Sequence, residues 1–232
     1  MSKLEPIEPV LVFSPHLDDA VLSCGLFLQA HPSTTVVTVL AGAPEAFHNG
    51  YNRQTTGKLY APDAITVRRE EDRRALDSLC ATPVWLDLLD GDYAAHRPPV
   101  KYSEVIHDEI VRVLDEIRPK SVLSPLGLSH ADHVAVSDAC LEIAMHSPLA
   151  WFLYMDLPYG YFNRRVLNRR ITSIMSRVQL RELDSFEGEP GVKQRAMSLY
   201  TSQYDPTRRS NRRAFDATMR GGERYWQVEG LL

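Results

Sequence analysis

The stretch Val10-Leu11-Val12-Phe13-Ser14-Pro15-His16-Leu17-Asp18-Asp19 constrains this chain more than any other. Its short apolar opening, with β-branched residues, reads as a buried strand, and Ser14-Pro15 breaks it. A histidine and two adjacent aspartates follow, and then the apolar run from Ala20 to Leu28 reads as a helix. Strand, break, polar cluster, helix is the order in which open α/β sheets place chemistry, on the loop at a strand's carboxyl end. His16 and Asp19 are three apart, so one helical turn aims both at the same point. An aspartate here can also cap the helix. A cap accounts for one aspartate and leaves the second, and the histidine, to explain.

The same order returns later in the chain. Thr34 to Leu40 reads as a second buried strand, and Val84 to Leu89 as a third, running into the turn signal Asp90-Gly91-Asp92. Helices are expected over Ile65–Leu79 and over Tyr102–Ile117, where apolar residues recur at helical spacing. Ser121 to Ser124 is a short strand stopped by Pro125 and Gly127, and Ser129-His130-Ala131-Asp132-His133 then opens the helix Val134–Met145. Trp151 to Met155 reads as a further strand, closed by Asp156-Leu157-Pro158-Tyr159-Gly160, and a helix is expected from Val192 to Tyr200. Strands alternating with helices imply a mainly parallel α/β sheet in which the first and fourth strands can lie side by side. Residues 41–63 form a long irregular stretch, the kind that serves as a lid, a binding loop or a surface excursion. Beyond Tyr161 the pattern weakens into arginine-rich segments, so residues 161–232 are expected as a less regular part packed on a single domain spanning 1–232.

Bulk properties narrow the function classes. With 44% hydrophobic and 24% charged residues among 232, the chain is long enough for a sizeable core. A net charge of -4 argues against nucleic acid as the main partner. No run approaches a membrane span and the N-terminus has no signal-peptide core, so a cytoplasmic protein is expected. Cys24, Cys80 and Cys140 are odd in number and set in apolar patterns, as buried free thiols in a reducing compartment would be. Arginine pairs at 164–165, 169–170, 208–209 and 212–213 suit an anionic substrate or a solvated, subunit-contact surface. The second reading is preferred because charge runs are usually solvated, and it leaves a homo-oligomer open.

If the two polar clusters meet at the switch point of the sheet, they offer His16, Asp18, Asp19, His130, Asp132 and His133. A catalytic zinc site needs three nitrogen or oxygen ligands and an open position. It also needs a base for the water and a donor for the oxygen of the attacked carbonyl. The six residues can fill these roles. Each alone also has an ordinary structural explanation, as a cap or a core histidine. Soft-metal sites are disfavoured, because neither cluster holds a cysteine, and neither helix start carries the glycines of a phosphate loop.

Ser14-Pro15-His16-Leu17-Asp18-Asp19 resembles the HPDD motif of the PIG-L/LmbE-like family of zinc-dependent N-deacetylases, and His130-Ala131-Asp132-His133 resembles its HPDH motif. Arg68 to Glu71 is similar to the R-x-x-E helix between them, Tyr154–Tyr159 to a YEDLPY-like segment, and Lys193–Gln203 to a late K…A…SQ stretch. The resemblance implies a Rossmann-like open, mainly parallel α/β sheet with helices on both faces. It implies Zn2+ held by His16, Asp19 and His133, with Asp18 as general base. His130 would stabilise the oxyanion or protonate the leaving amine, and Asp132 would orient it. Arg68 and Asp90 would contact the sugar. Leu17 and Ala131 stand where the family usually has proline, and Ala20 where glutamate is common. Leu128 stands where some relatives have a tyrosine that assists catalysis, a role then absent or supplied from a loop, and Met155 interrupts the YEDLPY-like segment.

The expected reaction is removal of an N-acetyl group from an N-acetylglucosamine-type amino sugar in a glycoside, nucleotide sugar or natural-product precursor. The substrate partner is thus a small N-acetylated amino sugar. The alternatives are an amidase for a larger acyl group and a catalytically silent carbohydrate-binding or scaffold protein on the same fold. The retained Asp18 speaks against the silent form, since metal binding alone needs no base.

Overall fold

The computed structural model describes residues 3–43, 61–91, 102–184, 188–204 and 209–231. Most of the irregular stretch at 41–63, and the loop 92–101, lie outside them. In chain order the elements are β1 (Val10–Ser14), α1 (Asp19–Ala30), β2 (Thr35–Thr38), α2 (Ala61–Asp77), β3 (Thr82–Trp85), α3 (Tyr102–Ile117), β4 (Ser121–Pro125) and α4 (Ala131–Ala144). They continue as β5 (Ala150–Tyr154), α5 (Tyr159–Phe162), α6 (Arg164–Met175), β6 (Val178–Glu182), α7 (Pro190–Met197), α8 (Arg209–Gly221) and β7 (Tyr225–Leu231). Among the described residues the strands form one sheet in the order β3-β2-β1-β4-β5-β7-β6.

Strands β1 to β5 run parallel, and β7 is antiparallel to both β5 and β6. Strand order reverses at β1, whose neighbours are β2 on one side and β4 on the other, with Val12 opposite Leu123. That reversal opens a crevice above the carboxyl ends of β1 and β4, the place where ligands bind in open α/β sheets. The side-by-side arrangement of the first and fourth strands is therefore as expected. The third strand is earlier than expected, at Thr82–Trp85 rather than Val84–Leu89. It is a sheet edge that pairs only with β2, and Ala81, hydrogen-bonded back to Leu76, turns the chain into it directly.

Every residue of β1 is buried, and the two-residue period sends alternate side chains to opposite faces. Val10 and Val12 join Val21, Phe27 and Leu28 of α1, Leu76 of α2 and Met197 of α7. Leu11 and Phe13 join Ile106, Ile110 and Val113 of α3 and Val136 and Cys140 of α4. Helices thus cover both faces. Each fully buried Leu, Val or Phe contributes about 1.5–3 kcal/mol. Near-continuous apolar runs are what a doubly covered parallel sheet requires.

The stretch after Tyr161 supplies two strands to the same sheet and ties back to α1. At Cys24 the helix leaves helical geometry, with φ -131° and ψ 17°. The amides of Leu26 and Phe27 donate instead to the carboxylate of Glu223, at 2.8 and 3.1 Å. Glu223 is in turn paired with Lys193 Nζ at 2.7 Å and accepts the Tyr225 hydroxyl at 2.6 Å, all of it buried. The kink therefore leaves none of these groups without a partner.

Cys24 and Cys140 are free and buried, as expected, but Cys80 is exposed. It sits in the turn after α2 with φ 57°, which turns its side chain away from the core. No helix among the described residues is long and apolar enough to cross a membrane.

Candidate active site

The first polar cluster is shaped by the end of β1. Ser14 Oγ donates to the His16 carbonyl at 2.8 Å and accepts the Ala20 amide at 3.0 Å, closing the strand-to-helix turn. The His16 amide donates to Asp19 Oδ2 at 2.9 Å. Asp18 holds the N-cap position of α1, yet its side chain caps nothing. Its φ of 126° is a conformation that side-chain-bearing residues rarely adopt. Strain of this kind collects where a side chain must be aimed at a site, and the Asp18 carboxylate lines a cavity of about 240 Å³.

The second cluster faces the first across the crevice. The Asp132 amide donates to His130 Nδ1 at 3.3 Å, which leaves Nε2 as the N–H nitrogen of a neutral His130. Asp132 Oδ2 accepts the Gly91 amide at 3.0 Å and lies 2.9 Å from His16 Nε2. It lies 3.7 Å from His130 Nδ1, so its side chain engages His16 rather than His130. A Cβ on residue 91 would lie 2.6 Å from Asp132 Oδ1, so the loop can reach this carboxylate only through a glycine. His133 Nδ1 is 2.6 Å from Asp156 Oδ1, and Asp156 Oδ2 accepts the Gly127 amide at 2.9 Å.

Each of the two histidines thus gives one ring nitrogen to a buried carboxylate, so that in its neutral form the other nitrogen presents a lone pair. His16 Nδ1 and His133 Nε2 lie 3.3 and 3.2 Å from the same atom, Asp19 Oδ2. Among the described residues His133 Nε2 is buried and, although it is close to Asp19, makes no well-aligned hydrogen bond. A carboxylate on the far nitrogen of a ligand histidine is the usual support of a metal centre. One ligand atom each from His16, Asp19 and His133 fits within 4.8 Å, a donor set that can hold a divalent cation. His16, His130 and Asp132 meet the same distance criterion, but there the Asp132 oxygen is already engaged by Gly91 and His16.

Electrostatics separates the paired aspartates. Burial and the neighbouring Asp19 carboxylate hold Asp18 well above the usual carboxylate range, against the pull of Arg68 and His16. Burial acts the same way on Asp19, but the His133 and His16 imidazoles outweigh it and hold Asp19 low. Burial disfavours the charged form of His16, yet Asp132 and Asp19 raise it to about 9. Two adjacent carboxyls pushed apart in this way suit two different tasks.

The remaining walls come from α2 and from residues 200–204. Arg68 Nη2 donates to the Leu17 carbonyl at 3.2 Å, its Nε is buried without a partner among the described residues, and both Arg68 and Asp90 line the cavity. Glu71 accepts from Thr201 Oγ1 and from the amide and hydroxyl of Ser202. Asp72 accepts from Trp85 Nε1 and Tyr200 Oη. These two carboxylates brace the segment that brings Gln203 and Tyr204 to the cavity. All eight residues singled out in the sequence are at or beside the crevice. Asp156, Tyr159, Gln203 and Tyr204 were not assigned roles from the sequence. The signal for the first two was available, since Asp156 to Gly160 closes a strand in the same way as the two clusters do.

Residues 11–144 match the model of the family described as PIG-L, GlcNAc-PI de-N-acetylase. The chain belongs to the PIG-L family. It is accordingly an N-deacetylase, a hydrolase of amide bonds. No curated protein sequence matches it. Among solved structures it is similar to the zinc inhibited form of the teicoplanin deacetylase Orf2, with 26% identity and a TM-score of 0.76 over 94% of this chain and 97% of that one. The A40926 pseudoaglycone deacetylase Dbv21 shares 27% identity and a TM-score of 0.74, over 94% and 96%. The fold is also that of the N,N'-diacetylchitobiose deacetylase from Pyrococcus horikoshii, at 16% identity and a TM-score of 0.58, over 91% and 75%.

Proposed function

We propose that this PIG-L family member is a zinc-dependent deacetylase. Its substrate would be an N-acetylglucosamine-type amino sugar in a glycoside, nucleotide sugar or natural-product precursor. The observation that carries the reading is the convergence of three ligand lone pairs, from His16, Asp19 and His133, beside an uncapped, strained Asp18. The relatives named for teicoplanin and A40926 pseudoaglycone support a glycosylated natural product as the substrate class.

His16, Asp19 and His133 would hold the ion. Bound there, zinc would lower the pKa of a water and polarise the amide carbonyl. Asp18 takes the proton of the attacking water, a task suited to a carboxylate whose proton affinity is raised. His130 carries its N–H on Nε2, faces the cavity and is half exposed, so it can hydrogen-bond the carbonyl oxygen and deliver a proton to the leaving amine. Asp132 and Asp156 fix the ring orientation of His16 and His133. Arg68 and Asp90, a donor and an acceptor on the cavity wall, contact sugar hydroxyls.

Metal analysis of the purified protein, with acetate release from N-acetylglucosaminides, tests the reading. About one zinc per chain and chelator-sensitive release are expected. The zinc inhibited relative sets a condition, so release is measured at one equivalent of zinc as well as in excess. A folded His133→Ala protein is expected to lose the metal. Carbohydrate binding with no acetate release at any zinc level would establish the silent alternative instead.

A further inference from the structure

An oxygen that takes up negative charge is stabilised by donors fixed in place beforehand. His130 is one such donor, its ring centroid 5.6 Å from that of His133. Tyr159 approaches the same imidazole, meeting His133 edge-on at 5.3 Å. Tyr159 lines the cavity, and among the described residues its hydroxyl has no hydrogen-bond partner. An unpartnered phenol beside a metal-ligating imidazole calls for a partner that comes with the substrate.

The turn that carries Tyr159 is firmly seated. The Gly160 amide donates to the Asp156 carbonyl at 2.9 Å, and the Asn163 amide donates to that of Tyr159 at 3.0 Å. A Cβ on residue 160 would lie 2.5 Å from Met155 Sδ and 3.1 Å from Leu128 Cδ1, so the turn rests directly on these two apolar side chains. Leu128 and Met155 are both buried and bring no donor to the cavity. Tyr204, another phenol on the wall, packs against Phe215 in the segment braced by Glu71.

The geometry points to Tyr159 as a catalytic residue, its hydroxyl donating a hydrogen bond to the oxygen of the attacked carbonyl alongside His130. The proton stays on the phenol throughout. This inference rests on the deacetylase reading, and the test separates the two.

Tyr159→Phe keeps the ring against His133 and removes only the donor. With zinc loaded, kcat for acetate release from p-nitrophenyl N-acetyl-β-glucosaminide is expected to fall roughly 10²–10³-fold, as for the loss of one such donor. KM is expected to move by less than about threefold, because the bond forms with the developing charge. Zinc content should not change. Affinity for methylphosphonate, a tetrahedral anion, should fall about tenfold, the loss of one charge-assisted hydrogen bond. Tyr161→Phe, on the exposed side of the same turn, should match wild type in every measurement. A Tyr159→Phe protein with kcat within about threefold of wild type would overturn the inference and leave the deacetylase reading standing. If wild type releases no acetate, methylphosphonate decides: weaker binding by Tyr159→Phe retains the donor without the deacetylase reading, and equal binding removes both.

Discussion

Asp156 lies outside both sequence clusters and makes a close contact, 2.6 Å, to His133 Nδ1. Both groups are 1% exposed, so no water can stand in for a lost partner. Asp156→Asn would place an amide where the carboxylate accepts from Gly127 or His133, and is expected to weaken zinc binding about 10–100-fold in chelator competition. Unchanged affinity would remove the positioning role. The proposed ligands were legible because they fall in two compact clusters, each directly after an apolar strand. Asp156 also closes a strand, but its role does not follow from that, because its partner is 23 residues away in the chain and only the pairing of β4 with β5 brings them together. Asp132 shows the same limit: the family resemblance implies His130 as its partner, whereas its carboxylate reaches 116 residues to His16. The doubled aspartate was the useful signal, and the missing cap bond at Asp18 bears out the suspicion that capping does not explain it.

At the scale of elements, the kink in α1 offers a second test. Glu223 replaces the broken helical hydrogen bonds at Leu26 and Phe27 and neutralises Lys193 in the core. Glu223→Ala would leave a buried ammonium and two buried amides without partners, and is expected to cost about 3–5 kcal/mol in denaturant unfolding. Glu223→Gln keeps an acceptor and should cost less. Equal, small costs for both would show that water fills the gap. Up to β5, strands could be read as short apolar runs buried on both faces, and helices such as α3 from apolar residues at helical spacing. After Tyr161 only the helix expected over Val192–Tyr200 could, and it is α7. Helix α6 buries only Leu167 and Ile174, too narrow a stripe among its arginines to signal a helix. Strand β6 lies at a sheet edge with mostly half-exposed residues, and β7 is interrupted by Gly230 at φ 135°.

For the whole molecule, the site is held from distant parts of the chain: the turn after β1, the start of α1 and α4 supply the proposed ligands, α2 braces the cavity wall, and the end of β5 supports His133. An ion that binds only when these meet stabilises the folded state. At free zinc about a thousandfold above Kd the gain is about 4 kcal/mol. For a chain of this length that gain corresponds to a Tm roughly 8–16 °C higher than in the chelator-stripped protein. A metal-independent Tm would mean that the ligands are not brought together by folding. A mainly parallel α/β sheet with β1 beside β4 was legible; the full order β3-β2-β1-β4-β5 comes from the structure. The antiparallel pair β7-β6 that completes the sheet was not legible, since β6 carries the polar residues Gln179, Arg181 and Glu182 at an edge and its partner β7 lies beyond α7 and α8 in the chain.

Acetate release by Asp18→Asn, measured with zinc content on the same sample, tests the central claim most directly. The variant keeps the shape of the side chain and loses only its capacity to take a proton. Release roughly 10²–10⁴-fold slower than wild type, with about one zinc still bound per chain, is the predicted result. Release at the wild-type rate would contradict the assignment of Asp18 as the base.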